Sequence, residues 1–168
     1  RRSLVSQIQR HTLRKRYLAL TVWPPALADG APEGEVDAPL ARDTLDRRLV
    51  VVAPDGQPAR TRWRRLAAAA GYALVLAEPV TGRTHQIRAH LATLGAPLLG
   101  DAAYLPAESP ARELAPRVML HAWRIDLTHP ASNVAWSVTA PPPVDFAAVA
   151  EALGLGAALA EALAEQPR

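Results

Sequence analysis

The stretch TGRTHQIRAHLATLGAPLLGDAAY, Thr81 to Tyr104, decides how the rest of the chain is read. Thr81 or Thr84 can cap a helix that starts here, and Gly95 followed by Pro97 stops it, which predicts about three turns. Ile87, Leu91 and Leu94 fall at i, i+4 and i+7 and form its buried stripe. Arg88 lies one turn from His85 and Thr84 on a flank outside that stripe. Arg83 sits in the first turn, where the helix dipole disfavours a cation, so it needs an anionic partner or must project away from the axis. His85 and His90 are five apart and do not align as a helical metal pair; without cysteine or an adjacent Glu, no metal is expected. The stretch contains neither a Gly-flanked nucleophile elbow nor a Gly-rich phosphate loop. For Arg88, composition and spacing alone favour a surface or structural salt bridge.

Upstream, residues 1 to 12 read as the end of a helix, with Leu4, Ile8 and His11 or Thr12 at helical spacing and Arg1, Arg2 and Arg10 solvated. KRYLALTVW, from Lys15 to Trp23, alternates as a strand: Leu18, Leu20 and Val22 on one face, Tyr17, Ala19, Thr21 and Trp23 on the other. Residues 24 to 39 hold four Pro, two Gly and several acids, and read as a solvated loop. A hairpin is predicted from Arg48 to Ala53 and Ala59 to Leu66 around Pro54, Asp55 and Gly56. Its second strand alternates Arg60, Arg62 and Arg64 on one face, either a solvated sheet surface or a stripe of guanidinium forks that tracks phosphates.

Downstream, Tyr72 to Ala77 is a strand, and Val118 to Thr128 with Val134 to Thr139 forms a closing pair around His129, Pro130 and Ala131. Pro141 to Pro143 break the sheet. Val144 to Glu165 reads as an Ala-rich amphipathic helix interrupted near Gly154 and Gly156. The pattern predicts one mixed α+β domain, a mostly antiparallel sheet with flanking helices, in which residues 147 to 168 pack on or trail the body formed by 1 to 146.

The 168 residues suffice for one real core, and 49% apolar with 21% charged residues is ordinary for a globular chain. The longest nearly unbroken apolar run, Leu66 to Ala77, falls short of the roughly 18 residues a membrane span needs. No cysteine occurs, which excludes disulfides and thiolate metal sites; with no secretory h-region, a cytoplasmic location is expected. The net charge of +3 is uneven: residues 1 to 100 carry 15 basic against 8 acidic residues, residues 101 to 168 carry 4 against 8. Basic charge gathered on one part of a chain points to a polyanion such as RNA, because neutralised phosphates release counterions.

The quoted stretch closely resembles the last motif of the RluA-type pseudouridine synthases, which isomerise uridine in ribosomal or transfer RNA. KRYLAL at Lys15 to Leu20, GQPARTRWRRL at Gly56 to Leu66, VMLHAWRIDLTHP at Val118 to Pro130 and APPPVDF at Ala140 to Phe146 agree in order and spacing. The resemblance spans residues 10 to 146 and implies a pseudouridine synthase-like catalytic domain, incomplete in this chain. It implies that Arg88 pairs with the catalytic aspartate, that Tyr17 packs on the target base as a candidate acid or base, and that Leu98 and Leu99 wall the base pocket. Lys15, Arg83 and His85 become RNA or supporting contacts. The chemistry requires a carboxylate, with neither cofactor nor metal.

The family's aspartate lies in a His-Arg-Leu-Asp motif ahead of KRY, and that motif does not occur in these 168 residues. Leu45-Asp46-Arg47 follows KRY, and Asp101 matches a structural family position, so neither is assigned as nucleophile. The expectation is therefore an inactive isolated chain with Arg88 left unpartnered, completed by a segment or separate chain that carries the aspartate. A non-catalytic RNA-binding remnant is the rival reading. A fragment with an exposed sheet edge that aggregates is the third.

Overall fold

The computed structural model describes residues 4–10 and 12–165; Arg1, Arg2 and His11, which entered the reading of the first helix, lie outside the described residues. In chain order the elements are α1 (Leu4–Gln9), β1 (Arg14–Val22), α2 (Pro25–Ala28), β2 (Glu33–Asp37), β3 (Leu40–Arg42), β4 (Val50–Val52), β5 (Arg60–Ala69) and β6 (Tyr72–Pro79). They continue as α3 (Gln86–Thr93), β7 (Leu120–Thr128), β8 (Ala135–Thr139), α4 (Val144–Ala152) and α5 (Gly156–Ala164). Six strands form one sheet in the order β2-β5-β6-β1-β7-β8, every pairing antiparallel, and β3 with β4 forms a separate ribbon. This is the mixed α+β architecture the sequence predicts.

The alternation of β1 places helices on both faces of the sheet. Leu18 and Leu20 join Leu74, Leu76, Trp123 and Phe146 in a core closed by α4 and α5, while Ala19, Trp23, Val75 and Ala77 pack against Ile87 and Leu91 of α3. Tyr17 leans on the α3 side and Val22 on the other, as the alternation requires. The Ala-rich C-terminal segment is two helices rather than one, divided where Gly154 takes φ +72°, and it is anchored in the same core by Phe146, Leu155 and Leu159.

Three expectations are corrected. The acidic part of the 24–39 loop is an edge strand, β2, because Glu33, Glu35 and Asp37 stand in register opposite Arg64, Arg62 and Arg60. Cross-strand charge pairing gives this segment a partner that its own β-propensity does not predict. The hairpin around Pro54 to Gly56 does not form: β4 pairs with β3, and β5 pairs with β2 and β6. The β5–β6 hairpin instead closes over Ala70 and Gly71, whose positive φ values of 50° and 84° suit a two-residue turn that follows the sheet's twist. In α1 the apolar residues at helical spacing, Leu4 and Ile8, are exposed, and Gln7 is the buried one, because its side chain donates to Thr128 O and accepts from Thr128 N–H.

The end of α3 follows its sequence signal closely. Gly95 has φ +80°, its N–H donates to Ala92 O, and Ala96 N–H donates to Leu91 O at 2.9 Å, the paired bonds of a Schellman stop. An added Cβ at Gly95 would meet nothing nearer than Pro24 Cγ at 3.8 Å. Gly95→Ala is therefore expected to lower stability by only about 1 kcal/mol, from the left-handed backbone alone. A urea midpoint indistinguishable from wild type would contradict this.

Candidate active site

A cleft of about 370 Å³ opens on the α3 side of the sheet, lined by Lys15, Tyr17 and Leu120 from β1 and β7, and by Arg83, His85 and Arg88 at the start of α3. Of the residues that the resemblance associates with Tyr17 and Arg88, Lys15, Arg83 and His85 also line this cleft. Neither Asp nor Glu is among its lining residues, so the cleft presents cations without a carboxylate.

The loop before α3 is shaped by a residue the sequence reading passed over. Gln86 is buried; its Oε1 accepts from Thr81 Oγ1 at 2.7 Å and Arg83 N–H at 3.0 Å, and its Nε2 donates to Arg60 O at 2.8 Å and Thr61 Oγ1 at 3.0 Å. Neither Thr81 nor Thr84 caps the helix: the N-cap is His85, at φ +52°, and the Gln86 side chain meets the loop's donors instead. Thr81 accepts from Arg60 N–H, which ties this loop to β5. The signal for Gln86 is a neutral amide at the first helical position, between Arg83 and Arg88, able to donate and accept at once.

Arg83 precedes the helix and projects outward, its Nε donating to Pro58 O at 3.1 Å, so it avoids the positive end of the dipole. Arg88 does not stand without a partner, which corrects the expectation drawn from the missing aspartate. Its Nε and Nη2 donate to Asp101 Oδ2 and Oδ1 at 2.7 and 2.6 Å, a bidentate pair whose carboxylate side chain is 1% exposed. Asp101 is brought there by the turn after α3, where Gly100 takes φ +70°. The pairing raises the Arg88 pKa further, through the hydrogen bonds first, so its charge is permanent.

Arg88 also lies over the Tyr104 ring, 5.0 Å from its centroid. The Tyr104 hydroxyl accepts from Val50 N–H, donates to Val50 O and lies 3.3 Å from His85 Nδ1, which joins the β3–β4 ribbon to the site. Burial, and then the charge of Arg88, lowers the His85 pKa, so a neutral imidazole faces the cleft.

Two groups of candidates are placed elsewhere. Leu98 and Leu99 are fully buried, in the cores on opposite faces of the sheet, because Leu98 bridges to Thr21 and Leu99 bonds to Leu20 and Met119. The apolar lining of the cleft is Ile87, Leu120 and Pro79 instead. Arg60, Arg62 and Arg64 share one face of β5, and it is the face away from α3, since the intervening Thr61 points to Gln86 and His90. Arg60 pairs with Asp37 and Glu35, and Arg62 with Glu35 at 3.0 Å. The stripe is a surface charge ladder on the opposite side of the sheet from the cleft.

His90 is a core histidine: Nε2 donates to Ala38 O at 3.0 Å and Nδ1 accepts from Thr61 Oγ1 at 2.8 Å. Burial lowers its pKa, so the unfolded chain takes up a proton that the folded one refuses. Stability is then fullest above the ordinary histidine value of about 6.5 and falls as pH drops through it, levelling below the depressed folded value. Urea midpoints across pH 8 to 5 should show this fall, reduced in His90→Gln; an equal slope in the two proteins would contradict it. Among the described residues no group of three or more His, Asp or Glu is placed to hold a metal ion, and no helix is long and apolar enough to cross a membrane.

Residues 1–93 match the family model described as RNA pseudouridylate synthase. A ribosomal large subunit pseudouridine synthase D of Nitrosomonas europaea is 39% identical over 155 residues, 89% of this chain and 44% of that protein. The dual-specificity RNA pseudouridine synthase RluA of Escherichia coli is 40% identical over 147 residues, 86% of this chain and 64% of that protein. An uncharacterized RNA pseudouridine synthase of Chloroflexus aurantiacus is 44% identical over 146 residues, with 86% of this chain and 44% of that protein covered. The solved structure of human RNA pseudouridylate synthase domain containing 4 shares the fold, with a TM-score of 0.69 over 89% of this chain and 66% of that one at 24% identity. The chain belongs to the RluA-type RNA pseudouridine synthase family, an isomerase family by its chemistry. It spans about half the length of the curated relatives it matches.

Proposed function

We propose that the cleft is the arginine side of a uridine-isomerising site acting on ribosomal or transfer RNA in the cytoplasm. The observation that carries this reading is the convergence of Lys15, Tyr17 and Arg88 around a cavity that has cations, an aromatic ring and no carboxylate. In this reading Tyr17 packs on a uracil flipped from its stack, Leu120 and Ile87 supply the apolar wall, and Lys15 and Arg83 meet the flanking phosphates. Arg88 receives the carboxylate that starts departure of the base from its ribose; the base turns and rejoins through a ring carbon. Without that carboxylate the 168 residues bind RNA and do not turn it over.

The binding half is tested by anisotropy with a short uridine-containing stem-loop RNA. Two or three phosphate contacts predict a log affinity against log salt slope of about −1.5 to −2, roughly ten-fold weaker binding from 50 to 200 mM salt. Arg83→Ala should weaken binding several-fold and flatten that slope, whereas Arg62→Ala, on the far face, should leave both unchanged. The reverse pattern would move the RNA path to the β5 ladder.

A further inference from the structure

We propose that Asp101 is a positioning residue that grips one edge of the Arg88 guanidinium from behind and thereby presents its other edge to the cleft. The inference rests on the reading of the cleft only for what the second anion is in the complete reaction.

A guanidinium carries five N–H donors in one plane, and these form two forks. Asp101 takes the fork made by Nε and Nη2, with both distances under 2.8 Å. The end-on fork, made by Nη1 and the second proton of Nη2, has no hydrogen-bond partner among the described residues. Asp101 does not line the cleft and is closed off from solvent, whereas Arg88 lines it and keeps 19% of its side chain exposed. The carboxylate therefore holds the arginine from the protein side, and the vacant fork is the part that remains for the cavity.

Tyr104 adds a second contact. The guanidinium carbon lies over its ring, 5.0 Å from the centroid, and the ring's hydroxyl is fixed by both the N–H and the carbonyl of Val50. Backbone geometry holds Asp101 in turn: Asp101 N–H donates to Leu98 O, Ala103 N–H reaches Oδ1 at 3.3 Å, and Tyr104 and Leu105 N–H return to Asp101 O. An arginine held at one edge, with an aromatic ring beside its cation, can take a second carboxylate bidentately at the other edge without first breaking its own pair. Asp101 thus sets the orientation of the acid that Arg88 receives, without itself touching substrate.

The test uses the 15N-labelled chain and sodium formate as the carboxylate probe, with the Arg88 guanidinium signals assigned by their disappearance in Arg88→Lys. Wild type should show separate, slowly exchanging Nη1 and Nη2 signals, and formate should shift Nη1 while Nε stays nearly still. In Asp101→Asn the Nη signals should merge through free rotation, and formate should bind Arg88 roughly ten-fold more weakly. Separate Nη signals and an undiminished formate response in Asp101→Asn would overturn the proposal. So would a wild-type response at Nε rather than Nη1, or none at Arg88, and this arm decides the matter even where the variant fails to fold. RNA binding and isomerisation do not enter these readouts, so the pin and the assignment of the cleft can fail separately.

Discussion

Arg88→Ala is expected to lower the unfolding free energy by about 3 kcal/mol, a larger effect than its place at the rim of a cleft suggests. Removing the guanidinium strands the Asp101 carboxylate, whose side chain is 1% exposed, with a single long contact from Ala103 N–H left to its oxygens. It also removes the cation from the Tyr104 face, a smaller loss. The two contributions separate in a double-mutant cycle. Arg88→Ala combined with Asp101→Asn should recover about 1 to 2 kcal/mol of the loss, because the stranded group is then neutral. Urea denaturation of the four proteins checks this. Strict additivity would mean that the bidentate pair contributes nothing to the fold.

Gly100→Ala is expected to be as damaging or worse, about 3 kcal/mol or more, although it deletes no side chain. Gly100 combines φ +70° with a crowded site, since an added Cβ would be driven into the Arg117 carbonyl. Its N–H donates to Ala111 O at 2.9 Å, so the turn cannot shift away without losing that bond. Because Asp101 follows directly, the same displacement should loosen the grip on Arg88. Gly95→Ala is the internal control, with the same sign of φ and open space around the new methyl. Equal thermal shifts for the two variants would show that backbone conformation alone, rather than collision with Arg117, sets the effect.

What the sequence made legible follows from how local each signal is. The faces of β1, the stripe of α3 and its glycine stop are written within one or two turns or a few alternating residues, and all stand in the structure. Strand β2 is hidden because Glu-Gly-Glu-Val-Asp is a poor strand by itself and becomes one only against Arg60, Arg62 and Arg64, 23 to 31 residues away. The Pro-Asp-Gly turn signal was real but joined the wrong neighbours: the chain bends there, and its flanks find β3 and β2 instead.

In the site, composition already favoured a salt bridge for Arg88, yet nothing local identified Asp101, which lies beyond the helix stop. Leu98 and Leu99 were placed on the cleft by resemblance, but their apolar character serves the two cores behind it. For the arginine stripe the alternation predicts the shared face but leaves its partners open, since it shows which residues point together and not that Arg60 and Arg62 meet Asp37 and Glu35.

The measurement that most directly tests the cleft as the arginine side of an isomerase is chemical mapping of pseudouridine in ribosomal and transfer RNA. The 168 residues would be assayed alone and with a polypeptide carrying a His-Arg-Leu-Asp segment supplied in trans or fused ahead of Arg1. No pseudouridine is expected from the chain alone, and site-specific pseudouridine that disappears with Arg88→Lys is expected once the segment is joined. Product from the 168 residues alone would contradict the need for an added carboxylate. Full yield from the joined protein carrying Arg88→Lys would remove Arg88 from the chemistry.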